Sequence, residues 1–117
     1  MIRRGDVVIV DVPYTDQAGS KARPAIIVQN DRDNARLRKT VIVSITGNLK
    51  RVREPTHFLI DPSTPEGQSS GIQGKSAASC INLFTVEQGN ILQMVGHLSD
   101  VLKVRLNDSL KAALEIV

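Results

Sequence analysis

Short apolar runs separated by turns constrain the fold of this chain more than any other feature of its sequence. Val, Ile and Thr dominate the first four runs, and Gly, Asp, Asn, Pro and Ser fill the intervals, which is typical of strands joined by short turns. No ten-residue helical pattern alternates with the runs, so a parallel βαβ sheet is disfavoured. The predicted strands are Asp6–Val12, Pro24–Val28, Thr40–Thr46, Thr56–Asp61, about Lys75–Asn82 and Ile91–Leu98. We therefore predict a mainly β fold, a small antiparallel sheet that curls or closes into a barrel.

One convincing helix is predicted, at the end of the chain. Ser99 is a good N-cap, Asp100 lies in the first turn, and apolar residues recur at helical spacing along one face. That face comprises Leu102, Leu106, Leu110, Ala113, Leu114 and Val117, and it is expected to pack against the sheet. Residues 13–23 and 62–74 are predicted to be loops, the first of them mobile until a ligand binds, and Thr85–Gln88 a helical turn.

The composition fits one domain over residues 1–117, with 41% hydrophobic and 23% charged residues. No apolar run approaches the ~20 residues that cross a bilayer, and the charged start of the chain lacks a secretory apolar segment. We expect a cytoplasmic protein without a membrane partner. Cys80 is the only cysteine, which excludes an internal disulfide and a thiolate metal cluster and is consistent with an inert buried thiol. No spacing of histidines and carboxylates indicates a metal, and no cofactor is expected.

The charge distribution favours an anionic partner. The net charge is +3, and basic residues concentrate in three clusters between the apolar runs, as in proteins that bind nucleic acid. These clusters are Arg3 and Arg4; Arg32, Arg36, Arg38 and Lys39; and Lys50, Arg51 and Arg53. Among the few aromatic residues, Tyr14 in the first loop is the best candidate to stack on an unpaired base, whereas Phe58 is expected in the core.

Arg23 and Thr46 are the candidate chemical groups. Pro24 disfavours helical angles at Arg23, which should therefore be extended at the entrance of its strand with a fixed guanidinium. Thr46 ends an apolar strand just before Gly47. Because one antiparallel strand starts beside the end of its neighbour, both side chains could meet at one end of the sheet. The alternatives are a surface arginine at a strand start and a threonine that caps its own turn.

Several short motifs together resemble the MazF/PemK family of toxin endoribonucleases. They are Gly5-Asp6-Val7-Val8, Arg23-Pro24, Gln29-Asn30-Asp31, Ile45-Thr46, Pro55-Thr56-His57, Gly71-Ile72 with Lys75-Ser76, and His97-Leu98-Ser99 before the terminal helix. The resemblance implies an SH3-like curled barrel, a homodimer and a cognate antitoxin whose disordered tail occupies the RNA groove. It also implies metal-independent, sequence-specific cleavage of single-stranded mRNA, in which the ribose 2′-hydroxyl attacks the adjacent phosphate.

Carried over by position, the family's catalytic arginine falls on Arg23 and its catalytic threonine on Thr46. The attack accumulates negative charge on phosphorus, and a guanidinium and a hydroxyl are donors suited to stabilise it. Because the pKa of arginine exceeds about 12, electrostatic stabilisation is the favoured role and proton donation a secondary one. The predicted substrate-binding residues are Tyr14, Ser20, Lys50, Arg51, Arg53, Lys75 and Ser76.

The chain also departs from the family pattern. Many relatives carry an acidic residue shortly before the arginine, whereas residues 17–21 contain none and Asp16 is the nearest. Just after the fifth strand, where relatives tend to carry an arginine, this chain has Phe84.

Three alternative functions remain open. His57 and His97 could form an acid–base pair, although structural hydrogen bonds explain them more economically. The chain could instead be a non-catalytic toxin that resembles CcdB and acts on a protein such as gyrase, or an RNA-binding regulator without cleavage.

Overall fold

The computed structural model describes all 117 residues and has one antiparallel sheet with two α-helices. The elements are β1 (Asp6–Pro13), β2 (Ser20–Ile27), α1 (Asp31–Arg36), β3 (Lys39–Thr46), β4 (His57–Ile60), β5 (Ser76–Glu87), β6 (Ile91–His97) and α2 (Asp100–Leu114). The strand order is β4-β5-β3-β2-β1-β6, and every neighbouring pair is antiparallel. The predicted mainly β fold with a C-terminal helix is confirmed.

Both faces of the central strands are buried. On one face Val7, Ile26 and Val43 pack with Leu102 and Leu106 of α2. On the other face a smaller apolar cluster comprises Ile2, Val8, Val10, Ala25, Ile27, Ile42 and Val86. Since side chains alternate between faces, a strand covered on both sides becomes a continuous apolar run, which is why residues 41–43 of β3 and 25–27 of β2 lack polar alternation.

The segment after β4 reaches the edge strand β6 and curls the sheet. A 3₁₀ helix over Pro65–Ser70 lies against β6, and Ser69 Oγ donates a hydrogen bond to the carbonyl of His97 over 2.8 Å. A Cβ atom at Gly96 would lie 2.3 Å from the carbonyl oxygen of Ser69, so only glycine permits this approach. The two edges of the sheet are thereby bridged by a loop segment.

Helix α2 begins where the sequence predicts and ends earlier. Ser99 Oγ accepts a hydrogen bond from the N–H of Leu102 over 3.3 Å, which confirms the N-cap. Glu115 has a left-handed φ of 54°, and this conformation ends the helix. Leu114, the last residue of the helix, and Val117 beyond it are exposed, and their prediction as part of the packed face is wrong.

Two local predictions are also corrected, and one short helix was missed. Residues 20–23 belong to β2 instead of a loop, because they pair with β1 from Pro13↔Ser20 to Val10↔Arg23. Residues 85–87 extend β5 instead of forming a helical turn, because they pair with β3. Helix α1 was not predicted; Asn30 caps it, and the buried side chain of Asn34 anchors it through an accepted hydrogen bond from Thr40 Oγ1 over 2.7 Å.

Candidate active site

The register of β2 and β3 aligns Arg23 with Thr46. The two strands pair only at Ala25↔Ser44, Ile26↔Val43 and Ile27↔Ile42. Arg23 precedes Ala25 by two residues and Thr46 follows Ser44 by two, so a continuation of the register would pair them. Side chains two residues apart share a face, and Arg23 and Thr46 therefore lie on the face of Ala25 and Ser44. The predicted position of Arg23 at the strand entrance is wrong, since β2 begins at Ser20.

A cleft opens where the pairing of β2 and β3 stops. Pro24 has no N–H to donate to a neighbouring strand, and beyond Ala25 the two strands are not paired. The cleft has a volume of about 360 Å³ and is lined by Arg23 and Thr46 together with Ser44, Asn82 and Phe84. The loop between β1 and β2 contributes Tyr14 and Asp16 to its wall. The register of β2 and β3 and the gap in their pairing thus explain why Arg23 and Thr46 line the same cleft.

The hydrogen-bonding state of the two groups suits them to bind an anion. Thr46 Oγ1 accepts a hydrogen bond from the N–H of Asn48 over 3.1 Å and keeps its own hydrogen available for donation. The side chain of Arg23 is exposed, and it makes no side-chain hydrogen bond or ion pair within the protein. The ion pairs are instead Arg3–Asp31, Arg36–Asp33, Arg51–Glu54 and Lys75–Asp61. The guanidinium therefore retains all its donors for a ligand.

A second cleft of about 220 Å³ continues from the first. Thr46 and Asn82 line both clefts, and the second also contains Lys50, Arg51 and His57. Arg51 Nη1 lies 3.4 Å from Glu54 Oε2, and the side chain of Arg51 remains largely exposed. Because they share Thr46 and Asn82, the two clefts form one groove. Arg23 lines its first part, and Lys50 and Arg51 line its second part.

The remaining predicted substrate-binding residues lie outside both clefts. Ser20 begins β2, and Arg53 is exposed in the loop beyond Arg51. Lys75 Nζ lies 4.0 Å from Asp61 Oδ2. Ser76 is buried at the start of β5 and donates its hydroxyl to the carbonyl of Gly74 over 3.0 Å. The structure therefore does not bring these four side chains together with Arg23.

Several residues that line the clefts were not among the predicted site residues, and Asp16, Phe84 and Asn82 bear most on the chemistry. Asp16 was considered as the nearest acid, and it shares the larger cleft with Arg23. Phe84 pairs with Ile42 and brings a second aromatic ring to the wall that Tyr14 lines. Asn82 lies between the two clefts, and no local sequence signal could have assigned it, since its position depends on how β5 pairs with β3.

The two histidines do not share a cleft. His57 is buried, lines the second cleft, and its Nδ1 lies 2.8 Å from Thr56 Oγ1. His97 is exposed at the end of β6 and lines neither cleft. The expected structural hydrogen bond of the side chain is confirmed for His57 but not for His97, whose backbone carbonyl alone accepts a side-chain hydrogen bond, from Ser69.

Other features of the chain bear less directly on the groove. No three side chains of His, Cys, Asp and Glu lie close enough together to hold a metal ion. None of the helices has the length and apolar character needed to cross a membrane. Cys80 is fully buried, and its burial raises the pKa of the thiol to about 11, so the predicted inert thiol is supported.

Comparison with known proteins gives consistent matches over the whole chain. A family profile described as "PemK-like, MazF-like toxin of type II toxin-antitoxin system" matches residues 3–114. Endoribonuclease EndoA of Bacillus subtilis is 23% identical, with 100% of this chain and 97% of EndoA aligned. Endoribonuclease MazF of Staphylococcus saprophyticus is 26% identical, with coverages of 97% and 92%.

Solved structures match the fold. A mycobacterial structure, "Endoribonuclease in complex with its cognate antitoxin", superposes with a TM-score of 0.79. The two sequences are 24% identical, and the match covers 100% of this chain and 98% of the other. The likeness shows that this chain has the same fold as that structure.

Proposed function

The chain belongs to the family of PemK-like, MazF-like toxins of type II toxin–antitoxin systems, and from that premise we propose that it is a sequence-specific, metal-independent endoribonuclease of single-stranded mRNA. The observation that carries the proposal is the presence of Arg23 and Thr46 in one cleft. A guanidinium fork and a hydroxyl beside each other can bind two oxygens of one phosphate.

The proposed reaction is an internal transfer. The 2′-oxygen of a ribose forms a bond to the adjacent phosphorus while the bond from phosphorus to the 5′-oxygen of the next nucleotide breaks. The 2′-hydroxyl loses its proton, and the leaving 5′-oxygen gains one, so the products end in a 2′,3′-cyclic phosphate and a 5′-hydroxyl. Negative charge accumulates on the phosphoryl oxygens during the transfer, and donors fixed at that point lower the barrier.

Each proposed site residue has a role in this scheme. Arg23 stabilises the phosphoryl charge, and Thr46 donates to a phosphoryl oxygen and orients the phosphate. Lys50 and Arg51, in the second cleft, contact flanking phosphates. Tyr14 stacks on an unpaired base. Such stacking does not depend on which base it is, since every base has an aromatic face.

Association with other chains follows from the family. The proposed partners are a cognate antitoxin and a second copy of this chain, and the proposed location is the cytoplasm, where the mRNA substrate lies. Exposed apolar residues on the edge strand β6, such as Leu92 at 60% exposure, support a protein–protein contact there, since edge strands without charges pair readily.

A cleavage assay with a long single-stranded RNA in the presence of EDTA tests the function. Discrete fragments with 5′-hydroxyl ends are expected, and a 2′-deoxy nucleotide before the cleaved linkage should block that cut because the nucleophile is absent. A shifted but intact RNA would indicate an RNA-binding regulator. Neither cleavage nor binding would favour a protein target such as gyrase.

A further inference from the structure

Strand β5 is interrupted beside the groove. Ser44 of β3 pairs with Ser79 of β5, but its neighbour Val43 pairs with Leu83, so the residues between Ser79 and Leu83 have no partner on β3. Cys80 keeps a backbone hydrogen bond to the residue just before β4: its N–H donates to the carbonyl of Thr56 over 3.0 Å. A bulge of this kind redirects side chains, and bulges are frequent next to active sites.

The bulge directs Asn82 to the junction of the two clefts. Asn82 and Thr46 are the residues that line both. Nδ2 of Asn82 donates a hydrogen bond to Ser79 Oγ over 2.9 Å, which fixes the plane of the amide. One of the two N–H donors is used in this bond, so Oδ1 and the second N–H remain for a ligand. A fixed amide with one acceptor and one donor complements the edge of a nucleobase.

The second cleft is suited to one base. Its volume of about 220 Å³ is smaller than that of the first cleft, and its lining is polar apart from Ile81. The side chain of Ile81 belongs to the same bulge, is 54% exposed and offers an apolar contact to the ring. Lys50 and Arg51 line the same cleft and supply cationic groups for the phosphate attached to that nucleotide.

We propose that Asn82 is a specificity-determining residue that reads the edge of one unpaired base adjacent to the cleaved linkage, with that base held in the second cleft. The inference rests on the proposed endoribonuclease function. Sequence-specific recognition of RNA acts on unstacked bases through hydrogen bonds to their edges, and the shared position of Asn82 and Thr46 places this base next to the phosphate that Thr46 contacts.

The test compares four RNAs that differ only in the nucleotide adjacent to the cleaved linkage. The cleavage site of the unmodified protein is first mapped by sequencing the product ends, and kcat/KM is then measured for each RNA. The variants are Asn82→Ala, which removes the amide, and Asn82→Asp, which keeps the acceptor Oδ1 but replaces the NH₂ group, and with it the donor to Ser79 Oγ, by a second acceptor oxygen. Asn90→Ala is the matched control, because Asn90 is exposed beyond β5 and lines neither cleft.

The ratio of kcat/KM between the best and the worst base is the decisive quantity, because a uniform loss of activity cancels in it. In Asn82→Ala we expect this ratio to fall at least about fivefold. In Asn82→Asp we expect the ranking of the four bases by kcat/KM to change. In Asn90→Ala the ratio should stay constant. Ratios that stay constant in both Asn82 variants overturn the inference alone. Failure of the unmodified protein to cleave any RNA overturns the proposed function and the inference together.

Discussion

The N–H of Asn48 donates a hydrogen bond to Thr46 Oγ1 over 3.1 Å. A hydroxyl oxygen that accepts one hydrogen bond still carries its own hydrogen, so Thr46 can cap its turn and donate to a ligand at the same time. The turn-capping and the catalytic interpretations of this residue are therefore compatible. The cap fixes the oxygen before the substrate arrives, and a preorganised donor does not have to reorient during the reaction.

Removal of the Thr46 hydroxyl should lower the rate of cleavage. In Thr46→Val the side chain keeps its shape, and we expect a loss of roughly 10² to 10³ in the single-turnover rate, which corresponds to about 2.7 to 4 kcal/mol. Thr46→Ser retains the hydroxyl and should retain most of the activity. Equal rates in the two variants would exclude a role for the hydroxyl.

Arg23→Ala should abolish detectable cleavage while the protein stays folded. The side chain is exposed and lacks partners within the protein, so its loss should leave Tm unchanged, whereas the phosphoryl charge loses its main donor. Arg23→Lys keeps the charge but not the fork, and an intermediate rate is expected. Arg105→Ala is the control, an exposed arginine on α2, and activity retained in Arg23→Ala would refute the assigned role.

The convergence of Arg23 and Thr46 could be predicted from the sequence because neighbouring antiparallel strands place the start of one beside the end of the other, although β2 begins three residues before Arg23. The sequence did not predict Asn82, whose place beside Thr46 arises from the interrupted pairing of β5 with β3. That interruption depends on contacts between residues far apart in the chain, and no local pattern of polar and apolar residues encodes it.

Short elements were missed for a related reason. Residues 20–23 are exposed and, apart from Ala22, polar, so they lack the apolar signal of a strand, yet they pair with β1 in a hairpin. Helix α1 is only six residues long, too short for a helical period to be recognised. Its capping residue Asn30 gives no clear signal in the sequence, because asparagine is as common in turns as at the start of helices.

Binding of RNA should depend on salt through the cations of the second cleft. Each phosphate contact on a single strand contributes about 0.7 to the slope of log K against log salt concentration. We expect Lys50→Gln and Arg51→Gln each to reduce this slope by about that amount. The measurement uses RNA with 2′-O-methyl groups, which cannot attack the phosphate, and Lys111→Gln on the exposed side of α2 is the control. An unchanged slope in Lys50→Gln would exclude a phosphate contact there.

Cys80 should make the stability of the fold fall at alkaline pH. Burial raises the pKa of its thiol from 9.0 to about 11, so between these values the unfolded chain releases the proton while the folded chain keeps it. Ionisation then favours the unfolded state, and the free energy of unfolding decreases as the pH rises through this window. Urea unfolding should therefore show that the free energy of unfolding falls more between pH 7.5 and pH 10 in the natural chain than in Cys80→Ala. Any cost of the cavity in this variant is the same at both pH values and does not affect the comparison. Equal losses would mean that the thiol is not protected from ionisation by the folded core.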